Sequence, residues 1–344
     1  MQPYMPLRRV ICGWALLITL ALAAGLAAGD VFAMPNGVTS MDLVSIGNPG
    51  NLQDGVFGTR GVVSYVYSIG KFEVTVAQYA QFLNAVAERD TYGLYNPAMG
   101  TWNGLGQTDV GGTFSYSVQE DYRNRPISLV SWGDAARFCN WLTNGQPSGA
   151  QEATTTEDGL YLLDGATADA DLAAVIRRPG KGYCVPTLNE WYKAAYHKND
   201  GATGDYYAYA TSSDLHPGNQ ILFPDPGNNA NHTIFDTLTL GAPYYVTEVG
   251  AFANSTSPYG TFDQTGNVQE WTEYGAPLAR DALGGAFDHA WGIDKSEAQN
   301  AYPPGWELSD LGFRVTYLPE PSCMVLLSLF AMVPVHLRRP SQRR

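Results

Sequence analysis

Apolar residues recur at helical spacing in three places along the chain, and a capping signature precedes each. Thr75-x-x-Gln78 leads into Tyr79, Phe82, Leu83 and Val86, which fall on one helical face. Ser131-x-x-Asp134 leads into Ala135, Phe138, Cys139 and Leu142, with Asp where a capping box usually has Glu or Gln. Thr187-x-x-Glu190 leads into Trp191, Ala194 and Ala195. Upstream of the first helix, Tyr65 to Val74 alternates imperfectly and predicts a strand. Trp132, Trp141 and Trp191 are assigned to the core by these faces. Cys139 lies on an inward face and reads as core rather than reactive.

Between the second and third helices, Thr143 to Gly182 is polar and rich in small residues. Ala153-Thr154-Thr155-Thr156 and the stretch Asp164 to Asp171 predict an exposed insertion, with a short hairpin near Leu160–Leu163. From Tyr206 to Pro258 the chain is irregular and dense in Asn, Gly and Pro. A loop of that length inside a compact domain is usually functional or held by a ligand. Asn228-Asn229-Ala230-Asn231 offers oxygens to a cation, or forms a series of Asn turns; the pattern leaves both readings open.

The two ends carry addresses. Arg8 and Arg9 precede an apolar run from Val10 to about Ala28, and Val31-Phe32-Ala33 places small residues where a signal peptidase cuts. Residues 1–33 are therefore expected to be a secretory signal peptide, with a retained anchor as the alternative. At the other end, Pro319-Glu320-Pro321 precedes 16 mostly apolar residues, Ser322 to Leu337, and then Arg338, Arg339, Arg343 and Arg344. The run is short of the roughly 20 residues a spanning helix needs. The arginines would stay cytoplasmic. This tail, residues 319–344, resembles the PEP-CTERM sorting signal of Gram-negative bacteria. The resemblance implies transient membrane insertion, cleavage by an exosortase-type protease, and delivery to the cell envelope or extracellular matrix. A simple tail anchor is the alternative. Residues 34–318 remain as one domain.

Charge and cysteine content narrow the partners. The whole chain has a formal charge of −13. The segments outside residues 34–321 hold six arginines and one aspartate, which leaves 14 basic and 32 acidic residues, about −18. Such a surface repels nucleic acid and suits divalent cations. Cys12 and Cys323 lie in the two end segments. Cys139 and Cys184 could pair in an oxidising compartment but do not make a disulfide framework. The five histidines are scattered, and no cluster has zinc spacing.

The chemically densest stretch is Asp263-Gln264-Thr265-Gly266-Asn267-Val268-Gln269-Glu270-Trp271. Two carboxylates around a glycine turn suit a hard cation such as calcium, which takes about six to eight oxygens. The spacing is not that of an EF-hand, and the pattern alone favours a solvated acidic turn.

Six segments in order resemble the formylglycine-generating enzyme, or sulfatase-modifying factor, family. They are Tyr67-Ser68-Ile69-Gly70-Lys71-Phe72-Glu73-Val74-Thr75, Arg125-Pro126-Ile127-Ser128-Leu129-Val130-Ser131-Trp132 and Val185-Pro186-Thr187-Leu188-Asn189-Glu190-Trp191. Gly266-Asn267-Val268-Gln269-Glu270-Trp271, Gly284-Gly285-Ala286-Phe287 and Leu311-Gly312-Phe313-Arg314-Val315 complete the set. The resemblance implies an α+β fold, a single compact domain with a variant C-type lectin fold, short antiparallel strands and a few helices. It also implies calcium. One site would use the side chains of Asp263 and Glu270 and the carbonyls of Gly266 and Val268. Asn231 and the carbonyl of His232 match part of a second site, with Asp236 a candidate.

Active members of that family oxidise a sulfatase cysteine with molecular oxygen, using two cysteines that bind copper(I). The matching positions here are His289 and Asp294, neither of which supplies a thiolate. Copper is not expected, and the oxidase mechanism loses its metal site. His289 with Asp288 and Asp294 could form a different metal site or a surface loop. Two functions follow. One is a non-catalytic module with a groove lined by His289, Trp291, Tyr302 and Trp306, suited to an exopolysaccharide or an extended peptide. The other is an oxidoreductase of the family with a rebuilt site.

Overall fold

The computed structural model describes residues 42–56, 59–290 and 295–320. Residues 1–33 and nearly all of the sorting tail lie outside that range. Among the described residues, no helix is long and apolar enough to cross a membrane.

All three predicted helices form, each with a complete capping box. They are α1 (Val76–Val86), α3 (Trp132–Thr143) and α5 (Leu188–Tyr196). In α3 the short Asp134 closes the box by accepting from Ser131 N at 2.8 Å. The inward faces are as expected. Tyr79, Phe82, Phe138, Cys139 and Trp141 are buried in one cluster with Phe313. Most of their rings meet edge-on or tilted, with Phe82 5.4 Å from Phe138 and Phe138 5.4 Å from Phe313, while Tyr79 stacks on Phe138. Two short helices, α2 (Met99–Trp102) and α4 (Asp169–Ala174), complete the set.

The strands are short. The Tyr65 to Val74 strand narrows to β2 (Tyr67–Gly70). It pairs with β1 (Leu43–Ile46) on one side and with β10 (Thr316–Leu318) on the other. β10 in turn pairs with β5 (Gly182–Cys184), so the last strand sits inside the sheet that the first one opens. A second sheet runs β8 (Asn300–Tyr302), β7 (Arg280–Leu283), β6 (Gln269–Trp271), β9 (Leu311–Gly312), with only β6 and β9 parallel. A hairpin of β3 (Leu105–Val110) and β4 (Thr113–Val118) packs on α1.

The stretch Thr143 to Gly182 is exposed only in part, as at Ala153, Thr154, Asp164 and residues 167–171, against the wholly exposed insertion its composition predicts. Thr156, Glu157, Leu160, Tyr161, Leu163 and Leu172 are buried. The polar groups there satisfy one another. Arg137 holds Glu157 with bonds of 2.7 and 3.0 Å, and the Asn140 amide donates to the carbonyls of Thr156 and Tyr161. Buried polar residues are tolerated when paired in this way. Near Leu160–Leu163 a single antiparallel bridge, Asp158 to Leu162, takes the place of a hairpin. Tyr206 to Pro258 is irregular, as expected, with isolated bridges and no extended strand.

Cys139 and Cys184 do not pair. Both are free and buried, with thiols raised well above the usual range by burial.

Candidate functional site

The Asp263–Trp271 loop turns through left-handed backbone at Asp263, Gly266 and Asn267 (φ 62°, 85° and 63°) before entering β6. Only glycine suits the middle position. A Cβ on Gly266 would lie 2.2 Å from the Asn231 carbonyl oxygen. That contact brings the Asn-rich loop against the acidic loop. Asn267 then ties the two together. Its N–H donates to Asn231 O at 2.7 Å, its Nδ2 donates to Glu73 at 2.9 Å, and its Oδ1 accepts from Asn231 Nδ2 at 3.0 Å.

Glu270 is fully buried and faces Arg314, also fully buried. Arg314 grips the carboxylate with two prongs, Nη2 at 2.6 Å from Oε1 and Nε on Oε2. Trp191 Nε1 donates to the same Oε2 at 2.6 Å. About three of the carboxylate's roughly four acceptor positions are therefore taken by the protein. Glu270, expected as a calcium ligand on the family resemblance, is the counter-ion of Arg314 in this fold.

Two more carboxylates join that cluster. Glu73 is 2% exposed and its Oε2 accepts no hydrogen bond. Burial, then the Asp263 charge, holds its carboxyl well above the usual range. Asp263 accepts from Gly250 N at 2.6 Å, and burial pushes its carboxyl up to about 6. Asn231 Oδ1 is likewise buried and unpartnered. Glu73 lies inside a segment that matches the family, but nothing in its local pattern marks it as a ligand. Three acids around one guanidinium leave an excess of negative charge, and the orphaned oxygens of Glu73 and Asn231 suit a hard cation. The donor set fits calcium through Glu73, Asp263 and Asn231 better than through Glu270. Asp236 stands in an exposed turn closed by Ile234 and Thr237.

The predicted groove residues converge in part. Tyr302 and Trp306 have ring centroids 6.2 Å apart, and Trp306 remains 48% exposed. His289 Nε2 lies 3.3 Å from Asp310 Oδ2. Gln269 joins these groups, donating to Asp310 Oδ2 at 3.0 Å and to Tyr302 OH at 3.1 Å. Trp291 and Asp294 lie outside the described residues. Asp310 is not singled out by the sequence, since it reaches His289 only through the pairing of β6 with β9.

A separate cleft of about 730 Å³ lies between Arg60, Tyr65, Asn189, Glu273 and Gln299. Its Glu273 is pushed up to about 7 by burial, against the lowering pull of Arg177. None of the described groove residues, His289, Tyr302 and Trp306, lines it.

Capped helices, short antiparallel strands and long loops knotted around Asn267 define a mixed α+β, C-type-lectin-like domain. The sulfatase-modifying factor enzyme 1-like domain matches residues 30–317, and the chain belongs to that family. It is 23% identical over 329 residues to the chaperone protein LppX of Paenibacillus barcinonensis, covering 87% of this chain and 95% of that one. Among solved structures, CarF superposes with a TM-score of 0.53 at 20% identity, covering 81% of this chain and 99% of its own. The Treponema denticola variable protein 1 gives 0.51 at 19%, covering 84% and 98%. At these identities the structures share the fold alone.

Proposed function

We propose that the protein is an exported, non-catalytic member of its family, sorted to the cell envelope or matrix of a Gram-negative bacterium, that binds an extended polymer in the groove at Tyr302 and Trp306. One observation carries the reading. His289, at the position the family resemblance assigns to a catalytic thiol, is an imidazole beside a carboxylate. The two described cysteines are buried on α3 and at the end of β5 and lie in the core. An exposed Trp306 ring tilted against Tyr302 offers an apolar face for a sugar ring or a peptide side chain. The chaperone relative favours a polypeptide as the first ligand class to test. Export rests on the pattern of residues 1–33, and sorting by an exosortase-type protease rests on residues 319–344.

Calcium belongs to this reading as a structural ion. Glu73, Asp263 and Asn231 would hold it, and it would supply positive charge to a buried acidic cluster. No chemistry is assigned to it.

The test is oxygen uptake by the purified chain on a sulfatase-type cysteine peptide with copper(I) supplied. Peptide and polysaccharide binding are measured in parallel on wild type and Trp306→Ala. No oxygen uptake beyond that of peptide and copper(I) without the protein, with binding that Trp306→Ala weakens, is the expected result. Uptake above that protein-free blank would instead establish a rebuilt oxidase, the alternative function.

A further inference from the structure

We propose that Asp288, His289 and Asp310 form a binding site for a divalent transition-metal ion, distinct from the calcium cluster at Glu73 and Asp263. Each of the three offers one ligand atom, and these atoms all lie within 4.8 Å of one another. His289 Nε2 and Asp310 Oδ2 are 3.3 Å apart. That is longer than the usual hydrogen bond of about 2.9 Å. It matches the edge of about 3.4 Å between two ligands each about 2.1 Å from a tetrahedral centre.

The fold fixes these groups in advance. Ala286 and Phe287 are buried, which anchors the turn that carries Asp288 and His289. His289 N donates to Ala286 O at 3.0 Å, and His289 O accepts from Thr233 N at 3.1 Å. On the opposite side, Gln269 donates to Asp310 twice, from its backbone N to the carbonyl at 2.8 Å and from Nε2 to Oδ2 at 3.0 Å. Gln269 is fully buried and is itself held by Asn300 Nδ2 at 2.6 Å. A carboxylate oriented by a buried amide is the usual support of a metal ligand. His289 Nδ1 is buried with no hydrogen-bond partner, while Nε2 faces Asp310. Asp288 and Asp310 are two carboxylates with ligand oxygens within 4.8 Å of each other. A dication between them offsets their negative charge.

The donor set selects the ion. One imidazole and two carboxylates suit zinc, manganese(II) or iron(II), and do not suit copper(I). Three protein ligands leave at least one coordination position open to a further ligand. The metal site stands whatever polymer the groove takes.

The test is titration of the full chain with Mn²⁺, followed by electron paramagnetic resonance, and with Zn²⁺ by calorimetry. Both are done in millimolar calcium, so that any hard-cation site is already filled. The expected result is one ion per chain, with affinity lowered at least about tenfold in both His289→Ala and Asp288→Asn. Asp288 is exposed, so its variant keeps the fold. Absence of saturable binding, or binding unchanged in Asp288→Asn, would overturn the proposal. Unchanged oxygen-uptake results would leave it standing, since metal occupancy is read directly.

Discussion

Arg314 and Glu270 stand 44 residues apart in the chain and form a two-pronged ion pair with no solvent exposure on either side chain. Arg314 also donates to the carbonyls of Gly70 and Phe262, both at 2.9 Å. One guanidinium thus fastens β6, the end of β2 and the start of the acidic loop. Removing one member of a buried pair strands the other charge, at a cost of about 3–5 kcal/mol. Glu270→Ala is expected to destabilise by that amount in urea unfolding. Replacing both residues, Glu270→Leu with Arg314→Met, should cost less than Glu270→Ala alone. Equal or greater loss in the double variant would show that the pair is not what the single variant disturbs.

Gly266 offers a cleaner comparison. Gly111 has a similar backbone (φ 68° against 85°), but a methyl group added there would meet nothing within 4 Å, whereas one on Gly266 would run into Asn231 O. Gly111→Ala should cost about 1 kcal/mol from left-handed backbone alone. Gly266→Ala should cost at least about 2 kcal/mol more, because backbone must move. Thermal melts of the two variants read the difference; equal losses would mean that the Asn231 contact yields freely.

The buried acids set a pH dependence. Asp263 rises from 3.8 to about 6 on folding, and Glu273 rises from 4.5 to about 7. A raised carboxyl binds its proton more tightly in the folded state. The stability it contributes is full below the unfolded value and lost as pH rises through the folded one. In chelator, stability should therefore fall between about pH 4 and pH 7. Asp263→Asn should reduce the lower half of that decline and Glu273→Gln the upper half, with Asp134, Asp281 and Glu307 supplying the rest. The Asp263 share is of order 1–3 kcal/mol. A stability that climbs over this range in chelator would contradict the burial of these groups.

Calcium should act against that decline. An ion that binds only the folded state raises stability by about 2.7 kcal/mol at a hundred times its Kd. Adding chelator near neutral pH should lower the melting temperature by several degrees. Asp263→Ala and Glu73→Gln should each abolish the response. A melting temperature that ignores chelator in the wild type would remove calcium from the account.

How much the sequence discloses depends on range. Each helix start is legible because a capping box is local, three residues from end to end. Gly266 and the acidic loop are also visible as a local pattern. The β3–β4 hairpin is not, since four of the six residues of β3 face solvent and give no apolar alternation. The part of the stretch after α3 that is buried reads as exposed because Thr156 and Glu157 look solvent-facing until their partners on α3, Asn140 and Arg137, are known. The pairing of Glu270 escapes the sequence for the same reason: its partner Arg314 lies on the far side of β7 and β8. Asp310 joins His289 only after β9 lies down beside β6.

The position of β10 between β2 and β5 has a consequence for how the protein comes into being. The sheet opened by Leu43 lacks an interior strand until Thr316–Leu318 has arrived. The Arg314 clamp arrives in the same few residues. A chain growing from its N-terminus can build α1, α3 and the β3–β4 hairpin early, from neighbours in sequence. It cannot close. The domain stays open until Arg314 and Thr316–Leu318 join it, much as a zip is held by its last tooth.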